Sequence, residues 1–406
     1  MAWAGFDAER LRAIDAFVAA RYLDTGKLPH AQLLVAHEGE VVHFSHQGAA
    51  REDGTPVDER SMFRIASMTK PVTSLAFMML VEEARVALDT PVHHVLPEFK
   101  AVGVYDGGGG GVPFLTRPCD EPMRMIDLLR HTAGLTYSFQ QRTNVDAAYR
   151  EARLEAWHGH LDLDGLVTAL SKLPLEFSPG TAWNYSVATD VLGAVIQRVS
   201  GMTLDRFFAE RIFAPLGMRD TGFFVPPEKT DRLTDCWTFK PGEGRVMMDR
   251  GDKSAWSRPP TQLSGGGGLV STACDYHRFN TMLLNGGTLG RERGDRVRIA
   301  GRKTIDLMTR NHLPGRSDLA SMSRSLFSEA ANAGTGFGLG FAVNDDVAKS
   351  MVPGSEGEFY WGGMFSTAFF VDPVERISAV FMTQLSPSNL YPIRREIKTM
   401  IYAALR

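Results

Sequence analysis

The chain predicts an α+β fold: an antiparallel sheet flanked by terminal helices, with a mainly helical domain set into it. Three observations point there. Short β-branched and aromatic runs occur near both ends of the 406 residues, the stretch between them carries a 3.6-residue apolar rhythm, and helix-patterned segments lie near both termini. A hairpin near the N-terminus is stable only within a larger sheet, so strands from the two ends are expected to join.

In chain order, Phe6, Leu11, Ile14, Phe17 and Val18 give residues 7–22 a helical apolar face, and the runs 31–36 and 41–44 around His37-Glu38-Gly39-Glu40 read as a hairpin. Helices are expected at 124–131, 145–157, 162–173, 187–200 and 203–213, each with Gly or Pro nearby as punctuation. Strands follow at 336–343, 358–361, 366–371 and 377–384, before a closing helix at 391–405. This divides the chain into a discontinuous sheet-containing domain, 1–85 with 216–406, and a mainly helical domain, 86–215, with a cleft expected where they meet. The glycines of 107–111 read as a mobile loop, since they lack the spacing and lysine of a phosphate loop. Those of 265–268 either let the backbone approach a ligand or make a tight turn.

Composition excludes several functions. A net charge of -3 provides no basic face for nucleic acid and no polybasic membrane patch. Cys119, Cys236 and Cys274 are odd in number and scattered, so reduced, packed thiols are expected rather than a disulfide framework or a zinc knuckle. No basic-then-apolar leader opens the chain and no run is long enough to span a bilayer, so a cytoplasmic protein is expected. His93-His94 and His158-Gly159-His160 come without His-Glu-x-x-His and read as surface histidines, so no metal is expected. His131 reads as a side chain capping a helix C-terminus, and Phe207-Phe208 with Phe369-Phe370 as core.

The chemistry begins at Ser67-Met68-Thr69-Lys70, which opens a long apolar helical stretch and contains the one lysine with a serine three residues before it. On a helix that spacing sets the amine over the hydroxyl. A serine near neutral pH needs such a base. The helix N-terminus disfavours a second positive charge and favours a developing oxyanion, and Pro71 fits only a first turn, so the helix is expected to start just before Ser67. Further on, a turn at Pro179-Gly180-Thr181 delivers Tyr185 ahead of a helix. Tyr360-Trp361-Gly362-Gly363-Met364 then interrupts two strand-like runs, and its adjacent glycines mark a close approach to the backbone.

In this order the three elements resemble the serine β-lactamase and penicillin-binding superfamily, in particular the class C β-lactamase branch and its esterase offshoot, the family VIII carboxylesterases. The resemblance extends through Asp127-Leu128-Leu129-Arg130-His131-Thr132-Ala133-Gly134-Leu135, Pro215-Leu216-Gly217-Met218 and Gly336-Phe337-Gly338-Leu339-Gly340, and so covers nearly the whole chain. It implies that Ser67 accepts the acyl group, that Lys70 and Tyr185 act as a coupled base pair, and that the N–H groups of Ser67 and Met364 form an oxyanion hole. It also implies that Trp361, Gly362, Gly363, Val187 and Tyr137 contact substrate, and that no cofactor is needed.

Two departures refine the expectation. Where the superfamily's β-lactamases carry a lysine or histidine before Thr-Gly or Ser-Gly, this chain has Trp361-Gly362-Gly363. Where they have Tyr-x-Asn it has Val187. Both replace polar recognition groups by apolar ones, which favours neutral acyl esters over carboxylate-bearing drugs or peptides. The expected activity is therefore hydrolysis of short-chain esters, small molecules being the partners. A β-lactamase, a D-amino-acid peptidase, an acyltransferase or a non-catalytic binding protein on the same scaffold are the alternatives. The absence of Gly-x-Ser-x-Gly removes an α/β-hydrolase.

Overall fold

The computed structural model describes residues 5–155, 159–290, 295–325 and 333–406. Helix α1 (Ala8–Val18) starts at Asp7, whose carboxylate accepts from the N–H groups of Glu9 and Arg10, and it buries Leu11, Ile14 and Val18. Strands β1 (His30–His37) and β2 (Glu40–Gly48) form the expected hairpin. Five strands from the other end of the chain complete a sheet: β3 (Thr335–Phe337), β4 (Ala342–Asn344), β5 (Phe359–Gly362), β6 (Ala368–Asp372) and β7 (Ile377–Met382). The order is β3-β4-β5-β6-β7-β1-β2, antiparallel throughout.

The central strands are apolar on both faces because both are covered. Leu33, Val35, Phe370, Ala379 and Phe381 pack with α1 and the C-terminal helix α5 (Ile393–Ala403). The alternate residues Leu34, Ala36, Phe369, Val371, Val380 and Met382 join the larger core with α2 (Thr69–Glu82), α3 (Ala188–Ser200) and α4 (Ala273–Leu284). Every residue of α2 from Thr69 to Leu80 is buried, as an all-round apolar helix requires. Between the two contributions to the sheet lie the expected helices, with shorter bounds: Met125–Leu129, Asn144–Glu151, Leu163–Leu170, α3, and Leu204–Phe208, which runs through a π turn towards Leu216.

Several expectations change. The run 336–343 is not one strand but the hairpin β3–β4, because Gly340, at φ 95°, turns the chain between them. Residues 107–111 are not a bare loop: Val104–Gly109 pairs with Val112–Arg117, and the glycines carry the left-handed turn. The His131 side chain does not cap the helix Met125–Leu129, which the backbone of this residue ends in the left-handed region at φ 57°. It is buried and its Nδ1 meets Ser186 Oγ at 3.2 Å. Of the three free thiols only Cys236 is buried, while Cys274 is exposed. Phe207, Phe208, Phe369 and Phe370 are core residues. Residues 156–158, including His158, lie outside the described residues. Among the described residues no helix is long and apolar enough to cross a membrane, and no cluster of three His, Cys, Asp or Glu side chains is arranged to hold a metal ion.

Candidate active site

Phe63–Arg64 pairs with Val270–Ser271, and the Ile65 N–H continues the ladder to the Leu269 carbonyl at 3.0 Å. That pairing delivers the chain to Ala66, whose φ of 44° is unusual for a residue with a side chain and turns it sharply into a 3₁₀ turn, Ala66–Met68. Helix α2 follows, with Pro71 third in it, where a missing N–H costs no hydrogen bond. Ser67 thus sits in the opening turn, as its sequence context predicts.

Lys70 is buried one turn on. Its Nζ donates to Ser67 Oγ at 3.2 Å, to Tyr137 Oη at 3.0 Å and to the Gly266 carbonyl at 2.7 Å. The Tyr185 hydroxyl donates to Ser67 Oγ at 2.6 Å, and Lys70 Nζ lies 4.5 Å from the centre of the Tyr185 ring. An aromatic box holds that ring: Trp183 stacks on it at 6.2 Å, and His131, Tyr137 and Trp361 meet it edge-on at 5.1, 5.2 and 5.5 Å. Its backbone is fixed as well, since the Tyr185 N–H donates to Ser325 Oγ at 2.7 Å.

Met364 follows β5 in a turn where the Ser366 N–H donates to the Gly363 carbonyl at 3.0 Å. Neither the Ser67 nor the Met364 N–H has a hydrogen-bond acceptor among the described residues. Ser67, Met364, Tyr137, Tyr185 and Val187 line one cavity of about 500 Å³, with Phe139, Leu154 and Leu166 supplying further apolar wall and Glu155, Asp190, Gln262 and Ser264 the polar groups. Trp361, Gly362 and Gly363 are placed differently. Trp361 is buried behind Tyr185, and the space beside the glycines is filled by protein: a Cβ on Gly362 would lie 2.5 Å from Arg394 Cζ, and one on Gly363 2.3 Å from the Ile65 carbonyl oxygen.

Burial dominates the electrostatics. It pushes the Tyr137 phenol well above its ordinary range, helped by Asp190, Tyr185 and Glu155. Asp190 is likewise raised by burial, opposed by Lys70 and by donors from Ser264 Oγ at 2.5 Å and the Gly266 N–H at 3.0 Å. Burial, then the charge of Lys70, holds His131 well below its usual value, so it stands beside Tyr185 as a neutral ring. Glu155 is pushed up to about 7, again chiefly by burial, against hydrogen bonds from the Ser138 N–H and Oγ at 2.7 and 2.6 Å.

A hydroxyl with a phenol and an amine both in reach, at the mouth of an apolar cavity with unused N–H groups, can be deprotonated and add to an acyl carbonyl. Sequence reasoning did not single out Asp190, Glu155 or the Gly266 carbonyl. The glycines of 265–268 were the available signal, and the close neighbour is the protein itself. A Cβ on Gly266 would lie 2.5 Å from Asp190 Oδ2 and 2.9 Å from Tyr137 Oη.

The Beta-lactamase family model matches residues 12–402. Protein Rv1367c of Mycobacterium tuberculosis is 35% identical over 90% of this chain and 88% of its own length. Esterase EstB of Burkholderia gladioli is 31% identical over 98% of this chain and 96% of its own. Among solved structures, "EstCE1, a hydrolase with promiscuous acyltransferase activity" superposes with a TM-score of 0.80 at 26% identity, covering 97% of this chain and 99% of that one. A family VIII carboxylesterase superposes with a TM-score of 0.70 at 21% identity over 98% and 97%, a likeness of fold.

Proposed function

This chain belongs to the Beta-lactamase family and is a hydrolase of it, and from that premise we propose that it is a carboxylesterase cleaving short-chain acyl esters through a Ser67 acyl-enzyme. One observation carries the reading: Ser67 Oγ lies within 2.6 Å of the Tyr185 hydroxyl and 3.2 Å of the Lys70 amine, at a cavity walled mainly by apolar side chains.

Tyr185, as phenolate paired with Lys70, takes the Ser67 proton as Oγ attacks the ester carbonyl. The carbonyl electrons move onto oxygen, which the N–H groups of Ser67 and Met364 receive. Collapse breaks the bond to the alkoxy group, Tyr185 returns the proton to it, and the alcohol leaves. Water repeats the sequence on the acyl-enzyme, releasing the carboxylic acid and restoring Ser67. Two features support esters over β-lactams. EstB is named an esterase, and none of the described residues lining the cavity is a lysine, arginine or histidine that could pair with a substrate carboxylate.

A stopped-flow assay with p-nitrophenyl acetate and butyrate, beside a chromogenic cephalosporin, tests this on wild type and Ser67→Ala. Esters alone should turn over, and only with Ser67. Turnover persisting in Ser67→Ala overturns the mechanism, and preference for the cephalosporin overturns the substrate class. Transfer to an alcohol is the second reading, favoured by the likeness to EstCE1. Added alcohol would then raise p-nitrophenol release and yield a new ester.

A further inference from the structure

The N–H of Met364 and the carbonyl of Gly363 are two ends of one peptide group. The carbonyl end is held by an arginine from the far side of the sheet: Arg394, in the first turn of α5, donates from Nη2 to the Gly363 carbonyl at 2.6 Å and to the Thr367 carbonyl at 2.7 Å. To do so its guanidinium passes over Gly362, where a Cβ would lie 2.5 Å from Cζ and 2.6 and 2.7 Å from the two terminal nitrogens. A glycine at 362 is therefore what lets the cation reach the peptide.

We propose that Arg394 is a positioning residue for the reaction, orienting and polarising the Gly363–Met364 peptide so that its N–H serves as an oxyanion donor. The proposal rests on the esterase reading given above. Three physical arguments carry it. Glycine leaves the rotation before this peptide less restricted than any other residue would, so its tilt must be set from outside. One guanidinium nitrogen bridging the Gly363 and Thr367 carbonyls sets it, with the Ser366 N–H as a second donor. A charged donor on a carbonyl also strengthens the N–H of the same peptide, because hydrogen bonds in series polarise one another at low dielectric. Negative charge forming on the substrate oxygen is thus linked through one peptide to a fixed positive charge.

The test is Arg394→Met and Arg394→Lys against wild type, with p-nitrophenyl butyrate and a trifluoromethyl ketone analogue of the tetrahedral intermediate. Loss of one oxyanion donor costs about 10²–10³-fold in kcat, and loss of its alignment should approach the lower figure. Arg394→Met should therefore lower the acylation rate by about 10²-fold with KM changed less than about threefold, and weaken the ketone in parallel. Arg394→Lys keeps the charge but lacks the planar fork, and should fall between. Wild-type acylation and ketone affinity in a folded Arg394→Met would overturn the proposal. If that variant does not fold, wild-type behaviour of Arg394→Lys would do so. Ser67→Ala run alongside separates the failures: if it still turns over ester, the esterase mechanism fails. If it is dead while the Arg394 variants are unimpaired, only the role of Arg394 fails.

Discussion

The Tyr185 hydroxyl stands 2.6 Å from Ser67 Oγ, closer than the 3.2 Å between that oxygen and the amine of Lys70. On the mechanism proposed above, Tyr185 is therefore the group that exchanges the proton directly, with Lys70 behind it over the ring. Tyr185→Phe keeps the aromatic box and removes only the hydroxyl. It should lower kcat/KM for p-nitrophenyl butyrate by about 10²–10⁴-fold, the range of general acid–base catalysis. Circular dichroism and thermal melting should be close to wild type. Activity near wild type would shift the base to Lys70.

Lys70 is held from a second side by the Gly266 backbone, which gives its carbonyl to Lys70 and its N–H to Asp190. A methyl group there would press on Asp190 Oδ2 at 2.5 Å and on Tyr137 Oη at 2.9 Å. Gly266→Ala should displace this segment, destabilise the protein by about 1–3 kcal/mol as overpacking does, and slow acylation in burst kinetics. Tyr137→Phe removes one acceptor without crowding and should slow acylation with little change in melting temperature. A fully active Gly266→Ala would show that Lys70 is held well enough without that carbonyl.

The two departures from the β-lactamase pattern occupy different places. Val187 lines the cavity, whereas Trp361 is buried and packs edge-on against Tyr185 and Phe337 at 5.5 and 5.3 Å. Trp361→Lys should thus not confer cephalosporin turnover. It replaces a buried aromatic by a cation and should cost about 3–5 kcal/mol or more, read in urea unfolding. Val187→Asn puts an amide into the cavity and should raise kcat/KM for esters with an amide in the acyl part relative to p-nitrophenyl butyrate. An unchanged ratio would remove Val187 from the acyl-binding wall.

What the sequence makes legible here is whatever chemistry is local. The Ser67–Lys70 contact follows from helical spacing, and the β-branched and aromatic runs and the 3.6-residue rhythm locate strands and helices. What it hides depends on distant partners: the Gly266 carbonyl lies 196 residues from Lys70, and Asp190 lies 76 from Gly266. The double glycine after Trp361 signals a close approach, yet its neighbours are Arg394, on a helix across the sheet, and the Ile65 carbonyl. A continuous apolar run such as 336–343 conceals its turn, since both strands of the β3–β4 hairpin are buried.

Glu155 gives the cavity a charge that depends on pH. Burial raises its carboxyl from 4.5 to about 7, so it is neutral in mildly acid solution and ionised above neutrality. The folded state then binds more protons than the unfolded chain between pH 4.5 and about 7, and its contribution to stability falls as pH rises through that window and levels off above it. Specificity should follow the same charge. An ester with a free carboxylate on its acyl part, such as a succinate monoester, should lose kcat/KM relative to the neutral butyrate as pH passes about 7. Taking the ratio cancels any titration at Lys70 and Tyr185, which both substrates share. In Glu155→Gln the ratio should be flat between pH 5.5 and 8.5, and a wild-type ratio already flat over that range would place the Glu155 charge out of reach of the acyl group.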